Sequence, residues 1–374
     1  MVKNVANHAQ NYPADAVQRL STVGCVIPFR TIEIQSYGDI TLCCYTWLPE
    51  HCGNILTDSP DDILQNFKRQ EILAGMRKGK FDHCTDHCPM ITQFVNTGYN
   101  HSIVPVAEID SRIANTNFRV YFSYDESCNL QCPSCRKGLI VHKMNDHSNP
   151  NAMRLAQIHE KVKQLVQLLL DQGHIVQLDI TGSGDPFASP IYWHYLKELA
   201  AAPVHENLKI GLQTNGLMMT AKHWAEIQPL WPHIYNINVS VDAATADVYS
   251  IVRKGGNFDT LVENLDHLDA MIARGDLPAL ASWVSNFVVQ RDNFRELKQF
   301  VEWQLRYKSM SGVWTNLIAQ WRHLTDEEYK DMAVWQQGNH LRIELIDILK
   351  DPIFGDNRVF LGNMSNLRTQ HAEK

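Results

Sequence analysis

From Phe118 onward, strand-like apolar runs alternate with helical stretches, and this rhythm limits the possible folds more than any other feature of the chain. The runs FRVYFSYD (118–125), IVQLDIT (175–181), LKIGLQT (208–214), YNINVSV (235–241), SWVSNFVVQ (282–290) and VWTNLIAQ (313–320) have strand length and are rich in β-branched and aromatic residues. Helices are expected at Met153–Gln172, after Pro190, and at about 221–229, 259–273, 293–305 and 326–336. In the first of these, apolar residues at 155, 158, 162, 165, 166 and 169 repeat at helical spacing, and Gly173 ends the run. Such alternation implies a parallel sheet with right-handed crossovers. Six βα units are too few for a closed eight-stranded barrel. The expected class is therefore α/β, a curved partial (β/α)6 barrel, with an open doubly wound sheet as second choice. In either, chemistry belongs at the carboxyl ends of the strands.

The 374 residues suit one full-sized domain and a smaller one. Net charge is -7 and no Lys/Arg block stands out, which argues against a nucleic-acid partner. No apolar run approaches the ~20 residues of a membrane span, and the first residues lack a signal-peptide core. The expectation is a cytoplasmic protein without a membrane partner.

Nine cysteines, in spaced groups of six and three, read better as metal or cluster ligands than as disulfides in a reducing compartment. Directly after the first strand comes Cys128-Asn-Leu-Gln-Cys132-Pro-Ser-Cys135. Three thiolates on a loop at the active end of a sheet can ligate three irons of a [4Fe–4S] cube and leave the fourth iron open to a ligand. A structural zinc site would want a fourth ligand from elsewhere, such as a distant His.

The spacing Cys-x3-Cys-x2-Cys resembles the radical S-adenosylmethionine (SAM) superfamily, and the resemblance covers about residues 21–320. It implies that Cys128, Cys132 and Cys135 hold a cluster whose open iron binds SAM. There the cofactor is cleaved to a 5′-deoxyadenosyl radical that abstracts a substrate hydrogen. Where the family often has an aromatic residue before the third cysteine, this chain has Ser134, so Tyr124 is a candidate to pack the adenine. Thr181-Gly-Ser-Gly-Asp-Pro186 resembles the family's Gly-Gly-Glu segment, aligned on Ser183, Gly184 and Asp185, which would hold the cofactor's ammonium group. The plainer reading is a strand-to-helix turn. Gln213 and Asn215 end the third strand; Asn238, Ser240 and Asp242 share one face of the fourth and can offer hydrogen bonds to the ribose. A helix is expected from Thr245 to Arg253, and the resemblance implies that Arg253 pairs with the cofactor's carboxylate. The alternative makes Asp242 a helix cap and Arg253 a solvated charge.

Upstream, Cys25-x12-Gly38-x4-Cys43 followed by Cys84-x3-Cys88 resembles the auxiliary-cluster module (twitch or SPASM) of the same superfamily, with Gly38 as the turn between two short strands. The implied ligands of a second [4Fe–4S] cluster are Cys25, Cys43, Cys84 and Cys88. Cys44 and Cys52 remain as possible replacements, and a zinc site helped by His83 or His87 is the alternative. An amphipathic helix is expected at about Pro60–Lys78. The expected organisation is an arm (1–20), an auxiliary-cluster module (21–100), a linker (101–116), the radical SAM barrel (117–322) and a helical extension (323–374).

Many superfamily members with such a module modify ribosomally made peptides. The implied partners are a precursor peptide, a small leader-binding accessory protein, and an electron donor such as flavodoxin or ferredoxin. The module's N-terminal placement resembles the peptide spliceases that excise a tyrosine-derived fragment; crosslinking and epimerisation are the other peptide reactions. A small-molecule substrate and a non-catalytic iron–sulfur or zinc protein are the competing functions.

Overall fold

The computed structural model describes residues 12, 14–85, 88–114, 117–144, 146, 148–180, 183–321 and 323–369. Of the sequence expectations, most of the arm (1–11 and 13), His87, Thr181, Gly182 and residues 370–374 lie outside these. Eleven strands are described: β1 (Val23–Cys25), β2 (Thr31–Gln35), β3 (Ile40–Thr41), β4 (Ile103–Pro105), β5 (Asn117–Ser123), β6 (Ile175–Ile180), β7 (Leu208–Thr214), β8 (Ile234–Ser240), β9 (Ser282–Val289), β10 (Gly312–Leu317) and β11 (Val359–Phe360). The six runs expected from the sequence are β5 to β10, each followed by helix, so the α/β class holds.

The chain divides into two compact units. The first comprises residues 1–125, 143–183 and 205–209. In it β2 and β3 form an antiparallel hairpin turned by Gly38 at φ 86°, a conformation that favours glycine. β2 also runs parallel to β5, and β5 parallel to β6. The long helix Pro150–Asp171 covers this sheet with Leu155, Ile158, Val162, Leu165, Val166 and Leu169 buried, the apolar stripe the sequence showed. Asn149 caps it, Pro150 opens it, and Gly173 at φ 79° follows its end.

The helix expected at about Pro60–Lys78 is in fact two, Pro60–Gln65 and Phe67–Met76. Asn66 ends the first with extended ψ, and its side chain accepts from Lys68 N and Arg69 N to start the second. Hydropathy alone hides such a break because both pieces keep their apolar residues inward: Ile63, Ile72, Leu73 and Met76. β1 and β4 pair antiparallel beside them.

The second unit comprises residues 126–142, 184–204 and 210–374. Here β7, β8, β9, β10 and β11 lie side by side, all parallel. Trp224, Trp283, Phe287, Phe294, Phe300, Leu265 and Leu268 are buried in this unit. Among the described residues no helix is long and apolar enough to cross a membrane.

Gly24 in β1 sits at a close backbone approach in the first unit. A methyl group there would lie 2.2 Å from the Met76 carbonyl oxygen and 2.6 Å from Ile109 Cδ1. Gly24→Ala is therefore expected to cost about 1–3 kcal/mol, read as a lower denaturation midpoint of the purified protein.

Candidate active site and auxiliary thiol site

The loop after β5 is closed by backbone bonds from several directions. Cys128 N donates to Ile140 O (2.9 Å), and Gln131 N to Lys254 O (2.9 Å). Cys135 N and Arg136 N both donate to Cys132 O, at 2.9 and 3.0 Å. Ser127 Oγ accepts from His142 N at 2.8 Å, and Arg136 Nη1 donates to Glu126 O at 2.6 Å. Cys128, Cys132 and Cys135 are free thiols, the first two buried and the third exposed.

Side chains then reach the sulfurs. Asn215 Nδ2 lies 3.6 Å from Cys128 Sγ, Arg253 Nη1 3.7 Å from Cys132 Sγ, and Arg136 Nη2 3.4 Å from Cys135 Sγ. Burial pushes the Cys128 thiol up to about 11; Asp185 adds to the rise and Arg136 opposes it. Cys132 is raised by burial and pulled back by Arg253.

Asn215 is positioned from three sides. Its amide also donates to Asn129 Oδ1 (2.8 Å), its backbone N–H donates to Asp185 Oδ2 (2.8 Å), and its Oδ1 accepts from Leu217 N (3.0 Å). The adjoining turn needs Gly216, at φ 81°, and Asn264 donates to both Gly216 O and Leu217 O.

Three sequence expectations change here. Asp185 is fully buried, and its carboxylate already accepts from Phe187 N, Ala188 N, Thr214 Oγ1 and Asn215 N. It is the lock of a strand-to-helix turn, not an exposed acceptor for an ammonium group. Tyr124 is fully buried in the first unit, its hydroxyl 2.8 Å from His159 Nδ1 and its ring against Phe122. Its hydroxyl and ring are thus engaged within the first unit. Arg253 is not a solvated charge and Asp242 is not a helix cap. The two form an ion pair of 2.7 Å with side chains 12% and 4% exposed, while Thr245 caps the helix Ala246–Val252.

The remaining candidates lie where the alternation put them. Asn238 and Ser240 are half-buried on one face of β8, and Asn238 Oδ1 accepts from Asn286 Nδ2. Gln213 is paired beside Asn238 in register. Gly184 is half-buried, and Ser183 Oγ donates to Ser123 O at 2.6 Å. The reading of single residues missed Arg136, Asn129 and Asn286. Arg136 had a signal, a cation directly after the third cysteine; Asn286 shows itself only through the pairing of β8 with β9.

The second thiol group lies in the first unit, within an apolar cluster that includes Phe29, Leu42, Met76, Ile91 and Phe94. Cys25, Cys84 and Cys88 are buried in it and Cys43 packs against it. Their charges act on one another: Cys43 feels Cys25, Cys88, Cys44 and Cys84, and Cys84 feels Cys88 and Cys25. Burial pushes Cys25 up to about 12 and holds Cys43 and Cys84 well above the ordinary thiol range. Cys44 has Glu33 and Cys88 as its charged neighbours and a hydrogen bond with Thr46, and Cys52 has Glu50, Arg69 and Lys68 as its charged neighbours. β3 ends at Thr41, so a bend rather than a pleat separates Cys43 from Cys44. The donor set, four thiols in a dry cluster, suits a closed iron–sulfur cube. Among the described residues no three His, Cys, Asp or Glu side chains gather closely enough to hold a single ion.

Of the two spare cysteines, Cys44 lies within reach of the other thiols, whereas the charged neighbours of Cys52 include no thiol. Cys43→Ala is expected to lose about four irons from the reconstituted protein and Cys52→Ala to keep them, by iron and sulfide analysis. Tyr124→Phe is expected to lower stability by about 1 kcal/mol without changing SAM affinity, measured by denaturation and by equilibrium binding.

Two family models match the chain: the radical SAM superfamily over residues 125–303 and the iron–sulfur cluster-binding SPASM domain over residues 25–89. Among curated relatives, the mycofactocin maturase MftC of Mycobacterium tuberculosis is 23% identical over 181 residues, 48% of this chain and 40% of the relative. MftC of Mycolicibacterium smegmatis is 23% identical over 221 residues, 56% of this chain and 49% of the relative. The chain thus spans less than half the length of these relatives. Among solved structures, anSMEcpe with bound AdoMet has a TM-score of 0.44 at 18% identity, over 65% of this chain and 62% of that one. Methylornithine synthase (PylB) has a TM-score of 0.38 at 14% identity, over 69% and 70%. The chain thus carries a SPASM match ahead of a radical SAM match, and [4Fe–4S] clusters and SAM are the cofactors these two domains imply.

Proposed function

We propose that the chain is a maturase of a ribosomally made precursor peptide, with Cys128, Cys132 and Cys135 holding the cluster that binds SAM. The observation that carries this reading is the triad loop, where three free thiols on one loop each receive a side-chain N–H. The other six cysteines belong to the first unit. Cys128, Cys132 and Cys135 would hold the cluster, which with its cofactor would supply radical hydrogen-abstraction chemistry toward the substrate. The chain's own residues hold the thiolates in place, and the half-buried polar face of Gln213, Asn238, Ser240 and Asn286 offers hydrogen bonds at the strand ends.

In this reading Cys25, Cys43, Cys84 and Cys88 ligate the auxiliary cluster within the 21–100 module. Residues 101–116 link it to the 117–322 catalytic domain, flanked by the 1–20 arm and the 323–374 extension. A peptide substrate is supported by the maturase relatives and by the lack of any basic stripe for nucleic acid. The specific reaction proposed is excision of a tyrosine-derived fragment, with a leader-binding accessory protein and a flavodoxin or ferredoxin donor as partners.

Replacing Cys128, Cys132 and Cys135 together by Ala is expected to remove about four of about eight irons and all 5′-deoxyadenosine formation. Residual 5′-deoxyadenosine in that variant would defeat the triad assignment. Mass spectrometry of a co-expressed precursor peptide tests the substrate. A large mass loss supports excision, and loss of two hydrogens means crosslinking instead. An unmodified peptide alongside turnover of a small molecule rejects the peptide reading.

A further inference from the structure

Asp242 is the one non-glycine residue with positive φ, 63°, among those described, a backbone state that costs any L side chain energy. It follows β8 and is held there from several sides. Asp242 N donates to Asn286 O (3.3 Å), Asn293 Nδ2 donates to Asp242 O (2.9 Å), and Asp242 Oδ1 accepts from Val288 N (2.7 Å). The other carboxylate oxygen, Oδ2, faces Arg253 Nη2 at 2.7 Å. With Nη2 fixed, the planar guanidinium has its Nη1 on Cys132 Sγ at 3.7 Å, and its Nε is buried without a partner.

Strain is maintained only where surrounding contacts over-determine it, and here those contacts all serve one orientation of Asp242. That orientation completes a pattern in which each triad sulfur has its own donor: Asn215 on Cys128, Arg253 on Cys132 and Arg136 on Cys135. We propose that Asp242 is a positioning residue that aims Arg253 at the Cys132 sulfur and so raises the reduction potential of the cluster on the triad. A donor to a ligating sulfur stabilises the more negative, reduced cluster over the oxidised one. The inference rests on the triad assignment made above, and it gives Arg253 a task on sulfur distinct from holding the cofactor's carboxylate.

The sign of the effect separates positioning from simple electrostatics. Deleting a nearby negative charge by itself raises a cluster's potential, whereas losing the aimed donor lowers it. The full chain is reconstituted anaerobically with iron and sulfide, without peptide. The midpoint potential of the triad cluster is then followed by paramagnetic resonance, the signal being assigned by its response to added SAM. Asp242→Gly tolerates the left-handed backbone and removes the anchor; it is expected to shift the potential negative, as is Arg253→Gln. Adding Asp242→Gly to Arg253→Gln should give no further negative shift. A positive shift in Asp242→Gly, or an unchanged potential in Arg253→Gln, overturns the proposal. Should Asp242→Gly fail to retain iron, Asp242→Asn is read the same way, since Asn also tolerates this backbone. For it a negative shift upholds the proposal and a null or positive one overturns it. A wild-type chain that forms no SAM-responsive cluster would instead defeat the triad assignment, and this inference with it.

Discussion

A thiolate carried into an apolar interior loses its hydration, and metal, N–H donors or positive charge must offset that cost. The two cysteine groups meet this demand differently. Around the triad the chain brings two arginines and an asparagine to the sulfurs, so part of the compensation is built into the protein. Around Cys25, Cys43, Cys84 and Cys88 the neighbours are mainly Phe, Leu, Ile and Met, and the thiols repel one another as they ionise. If these four hold the auxiliary cluster, as proposed, the compensation there would fall to the metal and folding of that region would be tied to cluster assembly. Clusters in such unlike surroundings are expected to differ in potential even with identical iron cores.

Around the triad, rigidity comes from turns that lock one another. Asp185 gathers four donors, one of them the backbone of Asn215, and Asn215 reaches on to Asn129 and Cys128. Glu296 does similar work one strand over, accepting from Ala244 N at 2.6 Å and Thr245 N at 3.2 Å where the Ala246–Val252 helix starts. Arg253 closes that helix. The cation on Cys132 is thus placed by the helix's start as well as by Asp242.

Much of this was legible in the sequence, and what was not has physical reasons. The six strands and their helices announce themselves because burial imposes a period on the residues, and periods survive in one dimension. The Asn66 break is invisible to that test, since both helices bury the same side. Cysteine spacing pointed to both thiol groups, but the separation of Cys52 from the other thiols depends on which charges fold against it. An acidic residue after glycines reads equally as a ligand-binding acceptor or a turn lock, and Asp185 carries the hydrogen bonds of a turn lock. Only counting the donors that converge on it decides. Tyr124 shows a similar limit: alternation gives a face, and His159, thirty-five residues away, determines what that face meets.

The pairing of β2 with β5 bears on how this chain can be taken apart. Five residue pairs, from Thr31 with Arg119 to Gln35 with Ser123, knit a strand from the cysteine-rich segment to the first strand of the strand–helix series. A cut between residues 101 and 116 would therefore tear a sheet. It would leave one side of β5 as a bare hydrogen-bonding edge, the kind of surface that recruits other chains into aggregates. Any exchange of the cysteine-rich segment between relatives has to carry β2 with it, or supply a strand of matching register in its place.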